Sequence, residues 1–273
     1  MCFILLVVTT HTHAEGSNLP ILIIPASSSN DINHEDYYFN QLLALVISKT
    51  RAKFGDVLLQ EFDGWLVDER LRTALYKNDV DIIWSVTSEH SEQMLLPIKV
   101  PLLKDLDHYR VLLIRKNDQA RFSRIQSLDD LRMLTGGMGA QWPDADIMKY
   151  NGLPLIEATG YGKLFKMLAA KRFDYFSRGL YQVQTEVNFY PDLELQIEDT
   201  LLLHYHNAFY FFVNRSNESL ARRVEAGLKI AVADGSFDRL FNSIPRYVWA
   251  KSQLENKKRK IIELSLPDNK KTL

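Results

Sequence analysis

The sequence predicts an α/β fold in two similarly built lobes, each a mostly parallel sheet flanked by helices. Two observations carry that prediction: short β-rich runs alternate with helical patterns along the chain, and one helix-to-strand unit occurs twice, far apart in sequence. The strand runs are Pro20 to Ala26, Val80 to Val86, Arg110 to Arg115, Phe173 to Ser177 and Ala208 to Val213. Between them Val67, Leu71 and Leu75 recur at four-residue spacing, as do Leu164 and Leu168, and again Leu220, Val224 and Leu228, so each set makes one apolar helix face. Gly235, after Ala233-Asp234, stands where a helix C-terminal glycine belongs, and Phe237, Leu240 and Phe241 begin a further amphipathic turn.

The repeated unit is Ala74-Leu75-Tyr76-Lys77-Asn78-Asp79-Val80-Asp81-Ile82-Ile83-Trp84-Ser85, which aligns with Met167-Leu168-Ala169-Ala170-Lys171-Arg172-Phe173-Asp174-Tyr175-Phe176-Ser177-Arg178. Each is a helix end, a polar turn and an apolar strand that opens with an aspartate. In open α/β sheets ligands lie beyond the carboxyl ends of the strands, so Trp84, Ser85, Ser177 and Arg178, where these strands end, are expected to face a crevice.

Composition narrows the function classes. Of 273 residues 46% are hydrophobic and 25% charged, as in an ordinary globular chain. Lys plus Arg number 33 against 34 Asp plus Glu, which removes the broad electrostatic argument for a nucleic acid or an anionic lipid surface as partner. The first residues, an apolar run followed by small and polar residues to Ala14, read as a signal peptide over 1–14, with Thr12 and Ala14 at the −3 and −1 positions and a mature start near Glu15. No Lys or Arg precedes that run, and a buried first strand is the competing reading. No later stretch approaches the roughly 18 apolar residues of a membrane span, so no stable membrane insertion is expected after cleavage. Cys2, the single cysteine, would leave with the signal, so neither disulfide nor thiol chemistry is expected.

Trp65, the series Leu75 to Thr87, the pair of segments Leu128-Asp129-Asp130-Leu131 and Gly136-Gly137-Met138-Gly139, and the closing run from Asn207 to Arg215 with Asp234 to Leu240 together resemble the type II periplasmic solute-binding proteins. The closer resemblance is to their amino-acid-binding branch, bacterial solute-binding family 3. It implies a discontinuous first lobe, 15–107 plus 204–273, a second lobe of 108–203, and two crossovers acting as hinges. It also implies a monomer outside the inner membrane that captures a small polar, anionic or zwitterionic ligand between its lobes for an ABC permease, or reports that ligand to a membrane sensor. A dehydratase on the same fold is the enzyme alternative. No strong catalytic signature, cofactor fingerprint or dense metal-spaced cluster supports an enzyme, and His204 with His206 would need further ligands to bind zinc.

The resemblance and the strand ends give one list of candidate ligand contacts. Trp65 and Trp84 offer flat walls, with core packing as the competing role. Ser28, Ser85 and Thr87 offer hydrogen bonds. His90 stands where the family has the arginine that pairs with a ligand carboxylate, and it lacks that permanent charge and planar fork. Arg178, leaving its strand toward the crevice, is the expected substitute, with a salt bridge across the lobe surface as the competing role. Gly137 and Gly139 belong to an expected strand-to-helix loop that presents backbone N–H groups, with Pro143 near the first helical position and Trp142 beside the cleft. The tail from Lys251, with Lys257-Lys258-Arg259-Lys260, is expected to be a solvated helix or a frayed end.

Overall fold

The computed structural model describes residues 19–27, 31–64, 66, 68–140 and 142–267. The expected signal segment 1–14, Ser28 and Trp65 lie outside the described residues. The chain begins with β1 (Ile21–Ile24), α1 (Tyr37–Phe54), β2 (Leu58–Glu61), α2 (Asp68–Tyr76), β3 (Ile82–Val86), α3 (Glu89–Met94) and β4 (Leu95–Ile98). Its middle holds β5 (Tyr109–Arg115), α4 (Gln119–Phe122), α5 (Leu128–Arg132), β6 (Gly136–Gly139), α6 (Pro143–Tyr150), β7 (Leu155–Ala158), α7 (Tyr161–Ala169), β8 (Tyr175–Gly179), α8 (Val183–Asn188), β9 (Leu195–Ile197) and β10 (Leu201–His204). It closes with β11 (Phe209–Asn214), α9 (Glu218–Ala233), α10 (Ser236–Ser243), α11 (Pro245–Leu254) and β12 (Lys260–Glu263).

Two sheet systems result, both α/β. In one, β1 pairs in parallel with β2, and β11 lies antiparallel between β3 and β4. In the other, a seven-stranded sheet runs β12-β10-β5-β8-β6-β7, with β9 alongside β5. There β6 is parallel to β7 and β8, while β5 is antiparallel to β8. Parallel pairing thus builds the helix-linked part of each system. The antiparallel strands β5 and β11 are those by which the chain passes from one system into the other. The two passages are hydrogen-bonded side by side: Leu102 N–H donates to Phe209 O at 3.0 Å, and Tyr205 N–H to His108 O at 3.1 Å.

The internal repeat is structural down to single atoms. Asn78 and Lys171, aligned in the two units, both take the left-handed backbone conformation, with φ of 64° and 58°. In each unit the next amide reaches back to the helix, Asp79 N–H to Ala74 O at 2.9 Å and Arg172 N–H to Met167 O at 3.0 Å. The aligned aspartates then clamp the neighbouring strand. Asp81 accepts the Ile23 N–H on Oδ2 at 2.6 Å and donates its own N–H to Ile23 O at 2.9 Å. Asp174 does the same with Thr135, at 2.9 and 2.7 Å. Each clamp satisfies a backbone donor where the regular ladder stops.

Helix α1 was not placed by the sequence reading, although it carries much of the core. Tyr38, Phe39, Leu42, Leu43, Val46, Ile47 and Thr50 are buried along it, the spacing of one helix face. The chain's tail also departs from expectation. Instead of a solvated end it forms α11 and then β12, which pairs in parallel with β10 of the seven-stranded sheet, away from the system to which 204–273 was assigned. The cause is apolar: Ile262 and Leu264 are both 5% exposed in the core cluster of that sheet, each burial contributing about 1.5–3 kcal/mol. Arg259, within the basic run, donates to the carbonyls of Glu198 and Leu201 at 2.8 and 2.9 Å, while Lys257 and Lys258 stay exposed.

Candidate functional site

A cavity of about 330 Å³ opens where the two sheet systems meet. Pro25 and Ala26 after β1, Glu35, Asp36 and Phe39 at the start of α1, Arg72 on α2, and Trp84 to Val86 at the end of β3 line one side. Ala140 and Trp142 between β6 and α6, Pro143 and Asp144 in the first turn of α6, and Arg178, Tyr181 and Gln182 at and beyond the end of β8 line the other. The site lies at the carboxyl ends of β1, β3, β6 and β8, where an open α/β sheet places a ligand.

The expected contacts distribute unevenly around it. Trp84, Ser85, Trp142 and Arg178 line the cavity. Trp84 is only 8% exposed: its indole stacks near Phe39 with centroids 5.8 Å apart, and Nε1 donates to Asp36 Oδ1 at 2.9 Å. It therefore joins core packing to one cavity carboxylate. Ser177 is buried away from the cavity. Thr87 turns its hydroxyl to Glu92 Oε1 at 2.6 Å, close to the Ser88 cap of α3, and lines a smaller separate cavity. His90 lies on the exposed side of α3, 3.9 Å from Glu69, and does not line the cavity.

Gly137 and Gly139 are buried in strand β6 instead of forming a loop, although Pro143 does take the first turn of α6 as expected. Their lack of a side chain serves packing. A Cβ at Gly137 would stand 2.2 Å from the Phe173 ring, and one at Gly139 would stand 2.2 Å from the Trp142 ring. Gly139 thus makes the space in which Trp142 reaches the cavity wall.

The expectation that Arg178 offers a free fork to a ligand carboxylate is corrected by the geometry. Its guanidinium is paired with Glu186 of α8, Nε donating to Oε2 at 2.8 Å and Nη2 to Oε1. Tyr161 donates to the same Oε1 at 2.7 Å. Both charged partners are buried, at 6% and 2% exposure, and the guanidinium carbon lies 4.8 Å from the Trp142 ring centroid and 4.9 Å from that of Phe176. Burial works against the Arg178 charge, and Glu186 outweighs it, so the proton is held more firmly than usual. Arg178 forms part of the wall, already neutralised.

Asp144 on the same wall is matched in the same way. Arg110 of β5 reaches it through Nε at 2.9 Å and Nη2 at 2.8 Å, and the Tyr205 hydroxyl donates to it as well. Burial pushes its carboxyl up, but Arg110 and these hydrogen bonds hold it below the ordinary range. Glu35 is the contrast. It meets solvent in the cleft, yet no hydrogen bond or ion pair reaches its carboxyl among the described residues. Desolvation by the surrounding walls, then Asp36 and Glu186, push its pKa up to about 7 against the pull of Arg178 and Arg246. Asp36 is raised by burial too, with the Trp84 hydrogen bond opposing.

Glu35, Asp36, Asp144 and Glu186 were missed by the sequence reading. The first two precede α1, whose buried spacing from Tyr38 to Thr50 was a usable signal for a helix start at a strand end. Asp144 follows Pro143, which the reading did place.

Several solved structures share this architecture. The substrate-binding protein of an amino acid ABC transporter superposes with a TM-score of 0.58 and 16% identity, covering 83% of this chain and 99% of that one. A histidine kinase sensor domain with similarity to periplasmic binding proteins gives 0.60 and 14%, over 84% and 96%. An ancestral amino acid-binding protein, a precursor of cyclohexadienyl dehydratase, gives 0.60 and 14%, over 82% and 94%. The fold is that of the periplasmic binding proteins. The resemblance read from the sequence therefore holds at the level of fold. No family model matches the sequence, and no curated protein matches it. Among the described residues no helix is long and apolar enough to cross a membrane, and no group of three or more His, Cys, Asp or Glu is placed to hold a metal ion.

Proposed function

We propose that this protein is an extracytoplasmic solute-binding protein that captures a small, polar, amino-acid-sized molecule between two lobes and presents the occupied form to a membrane partner. The observation that carries the reading is the cavity of about 330 Å³, walled on one side by the ends of β1 and β3 and on the other by those of β6 and β8. A site shared by two bodies is closed by a ligand only to the extent that the closed form gives it extra contacts. In this reading 15–107 and the part of 204–273 up to α11 form one lobe, 108–203 form the other, and β12 is added to the second. The two side-by-side passages act as the hinge, and the mature, monomeric protein is released into the periplasm after signal cleavage.

Delivery to an ABC permease and reporting to a sensor kinase both use the same occupied state, and the similar structures include one of each kind. Thermal-shift screening of a metabolite panel, followed by small-angle scattering with the best hit, tests the capture step. A rise in Tm with a contraction of the protein is expected. A rigid body under every saturating solute would refute it. Chromatography of the same mixtures, expected to return each solute unchanged, separates capture from catalysis.

A further inference from the structure

Two arginines line the cavity and a third, Arg110, stands behind the lining residue Asp144, and each is matched by a carboxylate of its own. Arg178 is paired with Glu186, Arg110 with Asp144, and Arg72 with Glu69, whose Oε2 accepts its Nε at 2.9 Å. Glu35 and Asp36 are left over. Arg246 of α11 stands behind them, donating to the carbonyls of Ile32 and Glu35 at 2.9 and 3.2 Å. Even with Arg246 counted, one carboxyl is unmatched, and it is negative once the pH exceeds its pKa of about 7. Asp36 has Trp84 on Oδ1, and His34 Nδ1 lies 3.8 Å from Oδ2, whereas the Glu35 carboxyl has no such partner among the described residues. His90, at the family's arginine position, is turned away.

We infer that the cavity selects an organic cation without a carboxylate, its protonated amine or guanidinium held by Glu35 with Asp36 beside it. A carboxylate would enter a cavity whose arginines are all neutralised and would meet the surplus negative charge, so it weakens binding. The Trp142 ring already carries the Arg178 guanidinium, 4.8 Å from its centroid, so the attraction for a ligand cation comes from the carboxylates. The inference rests on the solute-binding reading above and deepens it.

The matched probes are agmatine against L-arginine and cadaverine against L-lysine, each pair differing by the carboxylate, with L-glutamate as the anion. Titration calorimetry on the mature protein is expected to show the decarboxylated member of each pair binding more tightly, by about tenfold or more. Glu35→Gln is expected to weaken agmatine about 10- to 100-fold, as the loss of a charge-assisted contact does. The pH profile gives a second readout. The groups facing Glu35 are His34 and Asp36 on its own segment, Tyr161 of α7, Arg178 of β8, Glu186 of α8 and Arg246 of α11. With its carboxyl pushed up to about 7, Glu35 must lose a proton to pair with a cation, so agmatine affinity falls as pH drops below about 7 and levels off above it. In Glu35→Gln that slope disappears.

Tighter binding of L-arginine than agmatine, or of L-glutamate than either, would overturn the inference while leaving solute capture intact. So would a Glu35→Gln variant with unchanged affinity and pH profile. Absence of binding by both decarboxylated probes would also overturn it. Solute capture itself is judged separately by whether any compound of the wider panel contracts the protein.

Discussion

Replacing Glu186 by Gln removes one charge from the most enclosed ion pair at the cavity. Glu186 accepts three hydrogen bonds, two from Arg178 and one from Tyr161, and both partners of the pair are nearly inaccessible to water. Losing one member of a buried pair strands the other charge and costs about 3–5 kcal/mol. The amide oxygen of Gln still accepts one N–H, which places the expected loss near 3 kcal/mol. For a chain of this size that corresponds to a Tm lower by about 6–12 °C. Urea unfolding, with an unchanged m-value, measures the loss directly. The stranded guanidinium also gives the cavity the anion partner it lacks, so L-glutamate should raise the Tm of Glu186→Gln more than that of the native protein. Arg178→Met with Glu186→Leu, which buries no charge, should recover most of the stability. A loss below about 1 kcal/mol in the single variant, or a double variant as unstable as the single, would refute the picture of a dry, mutually dependent pair.

Gly139→Ala would put a methyl group where the Trp142 ring lies; a loss of about 1–3 kcal/mol is expected, together with a change in tryptophan fluorescence and weaker ligand binding. Gly137→Ala, facing Phe173, should show the stability loss with less effect on binding. Asp81→Ala and Asp174→Ala should each cost about 1–3 kcal/mol by leaving a backbone N–H unpaired, and hydrogen exchange should accelerate at Ile23 in the first and at Thr135 in the second. Asp107 is buried with its pKa pushed up to about 7 by desolvation, against the pull of Arg110. Its folded form therefore holds a proton that the unfolded chain releases nearer the ordinary 3.8, and stability declines as pH rises across that window. Asp107→Asn should abolish this decline, so its advantage over the native protein grows to the order of 2–4 kcal/mol by pH 8. Denaturant melts across the pH range would check it.

The parts of the fold that were legible are those where local chemistry repeats. The unit from Ala74 to Ser85 and its counterpart from Met167 to Arg178 share a left-handed turn position and a clamping aspartate, both encoded within a dozen residues. Trp84, Ser85 and Arg178 could be placed near the cleft because strand ends in such sheets point there. What Arg178 does could not be read the same way. Its partner Glu186 lies on the next helix, and nothing in the sequence distinguishes a carboxylate that turns inward from one that faces water. The glycines of β6 misled for a related reason: Gly136 to Gly139 has the composition of a loop, and it is a strand because Phe173 and Trp142 occupy the space a side chain would need. The pair Glu35 and Asp36 was hidden by a missed helix, since α1 with its face from Tyr38 to Thr50 fixes where they point.

The C-terminal strand alters what lobe motion would involve. Two passages, at 99–108 and 205–208, would leave the halves free to rotate about one short line. Here a third link runs from α11, whose Tyr247 packs on Tyr38 with centroids 4.9 Å apart, to β12 in the opposite sheet. Only residues 255–259 separate the two elements, so the end of one and the start of the other lie at most about 21 Å apart when the link is fully extended. Arg259 pins the end of that span to the carbonyls of Glu198 and Leu201. Rotation of one half against the other must therefore keep the end of α11 near the start of β12, which confines the axis to directions passing close to this link. Because α11 also carries Arg246, behind Glu35, the same helix that would limit such a motion shapes the charge at the cavity wall.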